Sequence, residues 1–197
     1  MSQFGADKFT TRAREAIEAA QLSATTAGNS TTEPIHLLVA LLRQQEGTAR
    51  TMVTKAGVDA AVLTSQAESA LEALPRASGA TVRQPAASAA LTRVLAGALD
   101  LAAGMKDDYV ATEHLLIAIA GVQSPAQKLL TDAGLTEAGL RDSLTGVRGN
   151  RRVTSETFGT LSLKALVADV GSPAAVKRGL NAETPAPGLS SPAGSPR

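Results

Sequence analysis

Residues 32–42 read TEPIHLLVALL, and residues 110–120 read VATEHLLIAIA. At a spacing of 78 residues, HLLVA at 36 falls on HLLIA at 114, with His36 and His114 in register. The register holds upstream, where Thr10, Ala13, Ala16, Ile17 and Ala20 fall on Ser88, Leu91, Val94, Leu95 and Ala98. Downstream, a one-residue deletion shifts the spacing to 77, so that AGV at 56 meets AGL at 133 and Leu63 meets Leu140. The apolar residues of both copies recur at helical spacing, as in Ile35, Leu38, Val39 and Leu42. AGN at 27–29, EG at 46–47, AGV at 56–58, LPRASG at 74–79 and AGL at 133–135 punctuate the helices. This pattern predicts an all-α fold of eight short helices, arranged as two four-helix repeats. Repeat one covers about 8–74, a joint 75–87, and repeat two about 88–148, giving a body of 1–150. A four-helix unit of about 65 residues has a marginal core alone. Packing the copies about a pseudo-twofold axis buries what each leaves exposed.

Composition agrees with helices. Aromatic residues make up 2% of the 197, and alanine and leucine dominate. The absence of cysteine excludes disulfides, thiolate metal sites and cysteine nucleophiles, and suits a reducing cytoplasm. No apolar run approaches a membrane span, and MSQFGADKFTTRARE lacks the layout of a signal peptide, so the expected location is cytoplasmic, with no membrane partner. Residues 1–147 carry 12 Lys+Arg against 15 Asp+Glu, and residues 148–197 carry 7 against 3. Neither imbalance, with so few stacking aromatics, is a nucleic-acid footprint. Five of the nine prolines fall in the last 25 residues, so 151–197 reads as a linker remnant and a disordered, low-complexity tail.

Catalysis has few candidates. His36 and His114 sit in the first turns of equivalent apolar helices, where a histidine bonding nearby backbone is the simpler reading. No His-x-x-x-His pair points to zinc, and no metal, cofactor or catalytic residue is expected. Pro34 suits a first helical turn, and Thr112 reads as an N-cap with Glu113 against the positive end of the helix dipole. Thr10 reads as the N-cap of the first helix.

The ordered pieces FTTRAREAIEAAQ, EPIHLLVALL, LPRASG, DDYVATEHLLIAIA, AGL and VRGNRRVTSE resemble the Clp N-terminal domain, the double repeat that precedes the ATPase rings of Clp chaperones. They are most like those of the ClpB-type disaggregases. The resemblance covers roughly residues 8–156. It implies a module that binds unfolded or aggregated protein segments, with Clp ATPases or adaptors as further partners. It also implies a substrate-binding surface made of Thr10, Asp107 and Glu113, with Asp108 as the adjacent alternative. If these converge, apolar walls and a rim of carboxylates would draw hydrophobic, basic segments. The sequence departs from the family after the exit. TFGTLSLKALVADVG replaces the expected linker helix, and no G-x-x-x-x-G-K-[ST] phosphate loop occurs. The expectation is therefore a binding module without its motor, not an enzyme. The alternatives are a truncated or frame-shifted fragment of a disaggregase, or a stand-alone regulator competing for Clp substrates.

Overall fold

A computed structural model describes residues 5–76, 84–149 and 151–157. The middle of the joint and the tail from 158 onward, where disorder was expected, lie outside the described residues. Eight α-helices follow one another: α1 Thr11–Ala27, α2 Pro34–Arg43, α3 Thr48–Lys55, α4 Ala60–Glu72, α5 Ala89–Gly104, α6 Thr112–Gly121, α7 Pro125–Asp132 and α8 Glu137–Arg148. Each helix of the second copy begins at the sequence spacing of 78 or 77 from its counterpart.

The buried stripe of α1 is Ala13, Ala16, Ile17, Ala20 and Ala24, and that of α5 includes Leu91, Val94, Leu95, Ala98 and Ala102 at the equivalent positions. Both are one-faced helices on the outside of the core. By contrast, α2 is buried from Pro34 to Leu42 and α6 from Thr112 to Ala120. These apolar helices are the centre about which the copies pack. α2 touches α6, α2 touches α7 as α6 touches α3, and α3 touches α8 as α7 touches α4. Exchanging the copies maps this set of contacts onto itself, as a pseudo-twofold requires.

Two main-chain seams repeat the same exchange. β1 Thr31–Thr32 pairs in parallel with β2 Ala86–Ala87, matching Thr32 to Ala87. Phe9 forms a bridge with Val110, the positions equivalent to Ala87 and Thr32. Thr10 N–H donates to Val110 O at 2.9 Å, and Ser88 N–H donates to Thr32 O at 3.1 Å. The lead-in to the first helix of each copy is thus stitched to the loop before the central helix of the other. These short extended pairs were not expected from an alanine-rich, helical sequence; they satisfy backbone groups outside the helices.

Helix starts follow local chemistry. Thr10 and Ser88 accept from Ala13 N–H and Leu91 N–H at 3.3 and 3.1 Å, capping α1 and α5. Thr112, expected as an N-cap, is instead the first residue of α6, and Ala111 holds the cap position. His114, at the third helical position, reaches back to the cap residue: its Nδ1 accepts Ala111 N–H at 2.9 Å. No helix among the described residues is long and apolar enough to cross a membrane.

Candidate functional site

The histidines that open α2 and α6 do the same structural work. His36 Nδ1 accepts Glu33 N–H at 3.0 Å, as His114 Nδ1 accepts Ala111 N–H. With Nδ1 accepting, the neutral ring carries its proton on Nε2. That nitrogen lies 3.1 Å from Asn29 Oδ1 in the first copy and 3.0 Å from Asp107 Oδ2 in the second, off the ideal hydrogen-bond line in the latter. Burial lowers both imidazoles, His36 against the opposing pull of Glu33, and His114 to about 4 against that of Asp107. Neither histidine has the exposure of a general base. Among the described residues no three His, Cys, Asp or Glu side chains are grouped to hold a metal ion.

Asp107 and Glu113 meet at Arg148 rather than standing on an open rim, and Thr10 reaches the loop Lys106–Ala111 through its N–H bond to Val110 O. All three are buried, Glu113 completely. Arg148, at the end of α8, places Nη2 at 2.6 Å from Asp107 Oδ2 and Nη1 at 3.2 Å from Glu113 Oε1. The other oxygen of Asp107 accepts Val153 N–H at 2.7 Å. Burial pushes the Glu113 carboxyl up from its ordinary value, and its own backbone hydrogen bond and Arg148 pull it part of the way back. At the equivalent positions the first copy carries Asn29, Ile35 and Leu71. The second copy has therefore exchanged a neutral set for two carboxylates sharing one guanidinium. Such a set is costly to desolvate and costly to break.

Arg148 also links this cluster to an open surface. Its Nη2 lies 3.9 Å from Met105 Sδ, and Met105 lines a groove of about 520 Å³ along α5, α6 and α8. Gly97, Leu101, Gly104, Gly121 and Val122 form its floor, with Glu137 and Arg141, paired at 2.8 Å, at its edge. The equivalent groove on the first copy is smaller, about 310 Å³. There Ala19, Ser23, Arg43 and Gln44 stand where the second copy has Gly97, Leu101, Gly121 and Val122. Arg43 reaches across to Glu68 at 2.7 Å, and Gln44 Nε2 donates to Arg12 O at 2.9 Å. One copy closes its groove with polar side chains while the other opens it.

The glycines make the opening deliberate. Gly97 lies inside α5, where glycine costs about 1 kcal/mol relative to alanine, while Gly104 and Gly121 are the last residues of α5 and α6. A Cβ at Gly97 would meet Ala118 Cβ only at 3.9 Å, and at Gly104 it would meet nothing within 4 Å. Packing of the helices does not demand glycine at these two positions. The three glycines, opposite Ala19, Thr26 and Arg43 of the first copy, are the sequence signal that the comparison of the repeats could have used.

The Clp repeat N-terminal domain family matches residues 8–133. The chain is 44% identical over 149 residues, 76% of its length, to the chaperone protein ClpB of Propionibacterium freudenreichii, and 39% identical over 146 residues to that of Mycobacterium tuberculosis. It spans 17% of the length of these relatives. Among solved structures it is similar to the Hsp104 N-terminal domain of Candida albicans, with a TM-score of 0.66 and 26% identity over 76% of this chain and 97% of that one. A ClpV N-domain, solved in complex with a VipB peptide, shares the fold with a TM-score of 0.59 at 18% identity, over 77% of this chain and 91% of that one.

Proposed function

Since the chain belongs to the Clp repeat N-terminal domain family, we propose that it is a substrate- or adaptor-binding module of a ClpB-like protein-disaggregating chaperone, acting in the cytoplasm. The observation that carries this reading is the asymmetry of the duplicated grooves. Gly97 and Gly104 face open space that leaves room for an occupant, which supports the reading. An apolar floor of Leu101, Met105 and Val122 suits hydrophobic side chains of unfolded or aggregated segments, and the Glu137–Arg141 pair at the edge favours polar flanks. The ClpV relative with its peptide supports a domain of this fold acting as a peptide receptor. Weak, reversible capture suits a module that passes chains to a motor supplied by a Clp ATPase.

Thr10, Asp107 and Glu113 belong to the same reading as substrate-binding residues. Asp107 and Glu113 fix Arg148 beside Met105, at the end of the groove, and Thr10 fixes the start of α1 against Val110. Their contribution is to shape the receiving surface, since their own charges are neutralised or buried.

Filling the groove tests the reading. Gly97→Leu and Gly104→Leu should leave the fold intact, with stability unchanged or raised by up to about 1 kcal/mol. Affinity for a fluorescently labelled, permanently unfolded protein should fall by roughly tenfold, about 1.4 kcal/mol. Ala19→Leu, at the equivalent place in the first copy, should leave affinity unchanged. Equal affinity in all three folded variants would remove the groove from the mechanism.

A further inference from the structure

The two copies end on opposite charge. A cavity of about 580 Å³ opens where α8 finishes, and its lining carries Lys106, Arg141, Arg148, Arg151 and Arg152 with no acidic residue. At the spacings of 78 and 77 the first copy has Gly28, Thr64, Leu71, Leu74 and Pro75 in these places. Its Glu68 and Glu72 stand where Thr145 and Gly149 line the cavity. Both copies fold, so the fold does not require the five cations. Lys106 carries the clearest mark. It is the one non-glycine residue with positive φ among the described residues, at +57°, a region that an L side chain enters at a cost. Its counterpart Gly28 sits at +72° without that cost. The fold uses only the backbone of Lys106, whose N–H donates to Ala103 O at 3.0 Å and whose carbonyl accepts Arg152 Nε. Glycine would supply both. Among the described residues the exposed Lys106 ammonium makes no ion pair or hydrogen bond.

We propose that this cavity is a docking site for an acidic segment of a partner protein, a run of aspartate and glutamate whose carboxylates meet Lys106, Arg151 and Arg152. Charge complementarity selects the ligand, and arginine forks suit carboxylates. The cations stand on fixed backbone. Arg151 N–H donates to Arg148 O at 3.3 Å, and the neighbouring Val153 is fully buried. Val153 N–H donates to Asp107 Oδ1 at 2.7 Å and its carbonyl accepts Asp108 N–H at 2.9 Å. Arg148 is committed to Asp107 and Glu113 and keeps them. Arg141 and Arg152 face only exposed carboxylates, Glu137 at 2.8 Å and Asp108 at 3.8 Å. Exposed pairs contribute little, so an incoming carboxylate exchanges with them at small cost. Nothing in the body has to move aside. The site is independent of the client groove, with which it shares only Met105 and Arg141.

The full chain is titrated into a capped, fluorescein-labelled peptide of alternating aspartate and glutamate, and binding is read by anisotropy. Affinity should fall as salt rises from about 50 to about 200 mM. Lys106→Gly, which installs the residue of the first copy, should keep or raise the melting temperature while lowering affinity roughly fivefold. Adding Arg151→Gln should lower it by about tenfold or more; should that double variant fail to fold, Lys106→Gly alone decides. Gly97→Leu, which fills the client groove, should bind the peptide as wild type does. No binding to wild type, or undiminished affinity in folded Lys106→Gly, overturns the proposal. Loss of the peptide in folded Gly97→Leu places it in the groove and overturns the proposal as well. Tighter binding of a single-stranded oligonucleotide of equal charge assigns the surface to nucleic acid, with the same consequence.

Discussion

Replacing Arg148 by leucine should be among the most damaging single changes in the body. The substitution leaves Asp107 and Glu113 facing one another in a site from which their shared cation has gone, with both side chains inaccessible to solvent. Removing one partner of a buried ion pair costs about 3–5 kcal/mol, because the remaining charge is neither solvated nor paired. For a domain whose total stability is on the order of 5–15 kcal/mol, that is a large fraction. At roughly 3 °C per kcal/mol, the melting temperature should fall by about 10–15 °C. Burial already raises the Glu113 carboxyl, and losing Arg148 raises it further. Glu113 then takes up a proton on moderate acidification, so the penalty measured at pH 7 should shrink at pH 5. The first copy supplies the control. Asp107→Asn, Glu113→Ile and Arg148→Leu together install the neutral set found at Asn29, Ile35 and Leu71. That triple variant should lie within about 1 kcal/mol of wild type or above it, as apolar replacements of buried ion sets often do. Urea unfolding followed by far-ultraviolet circular dichroism measures all three proteins. A single variant losing less than about 1 kcal/mol would refute the claim of a desolvated pair. A triple variant as unstable as the single one would refute the equivalence of the two sets.

His114 is held neutral by burial, at about 4 against 6.5 when unfolded. Between those values the unfolded chain binds the extra proton, so this contribution is fully present above pH 6.5 and is lost as pH falls towards 4, up to about 3 kcal/mol. His36 acts in the same direction and Glu113 in the opposite one. Unfolding free energies at pH 7, 5.5 and 4.5 should fall for wild type and fall less for His114→Asn; parallel profiles would refute it. Gly28 ends α1 at φ +72°, with no atom within 4 Å of an added Cβ, so Gly28→Ala should cost roughly 1 kcal/mol by backbone strain alone. An unchanged melting temperature would contradict that.

The repeat made much of the fold legible before any coordinates. Helical periodicity, glycine punctuation and the doubled HLL phrase are local signals, and each corresponds to a helix or an end. The backbone-bonding role of His36 and His114 was legible for the same reason, since the partner N–H lies three residues away. The surroundings of Asp107 and Glu113 were not. Their cation comes from the far end of α8, 41 and 35 residues along the chain. The sequence reading treated Arg148 as part of an exit motif and pictured free carboxylates at a rim. The packing of Val153 was hidden too, because a single valine among arginines, serine and threonine carries no periodicity. Thr112 was read as a cap from its residue type alone, whereas the helix begins one residue earlier, with Ala111 in the cap position and its N–H bonded to His114 Nδ1.

The central claim is that the second copy, with its glycine-lined groove, receives unfolded segments while the first copy does not. Titrating an unfolded, unlabelled client into the isotopically labelled chain and following backbone amide shifts tests it residue by residue. Perturbations should concentrate at Gly97, Leu101, Gly104, Met105, Gly121 and Val122, while the equivalent Ala19, Ser23, Thr26, Arg43 and Gln44 stay still. Equal perturbation of both sets, or none at the first set while the client is bound elsewhere, would contradict it.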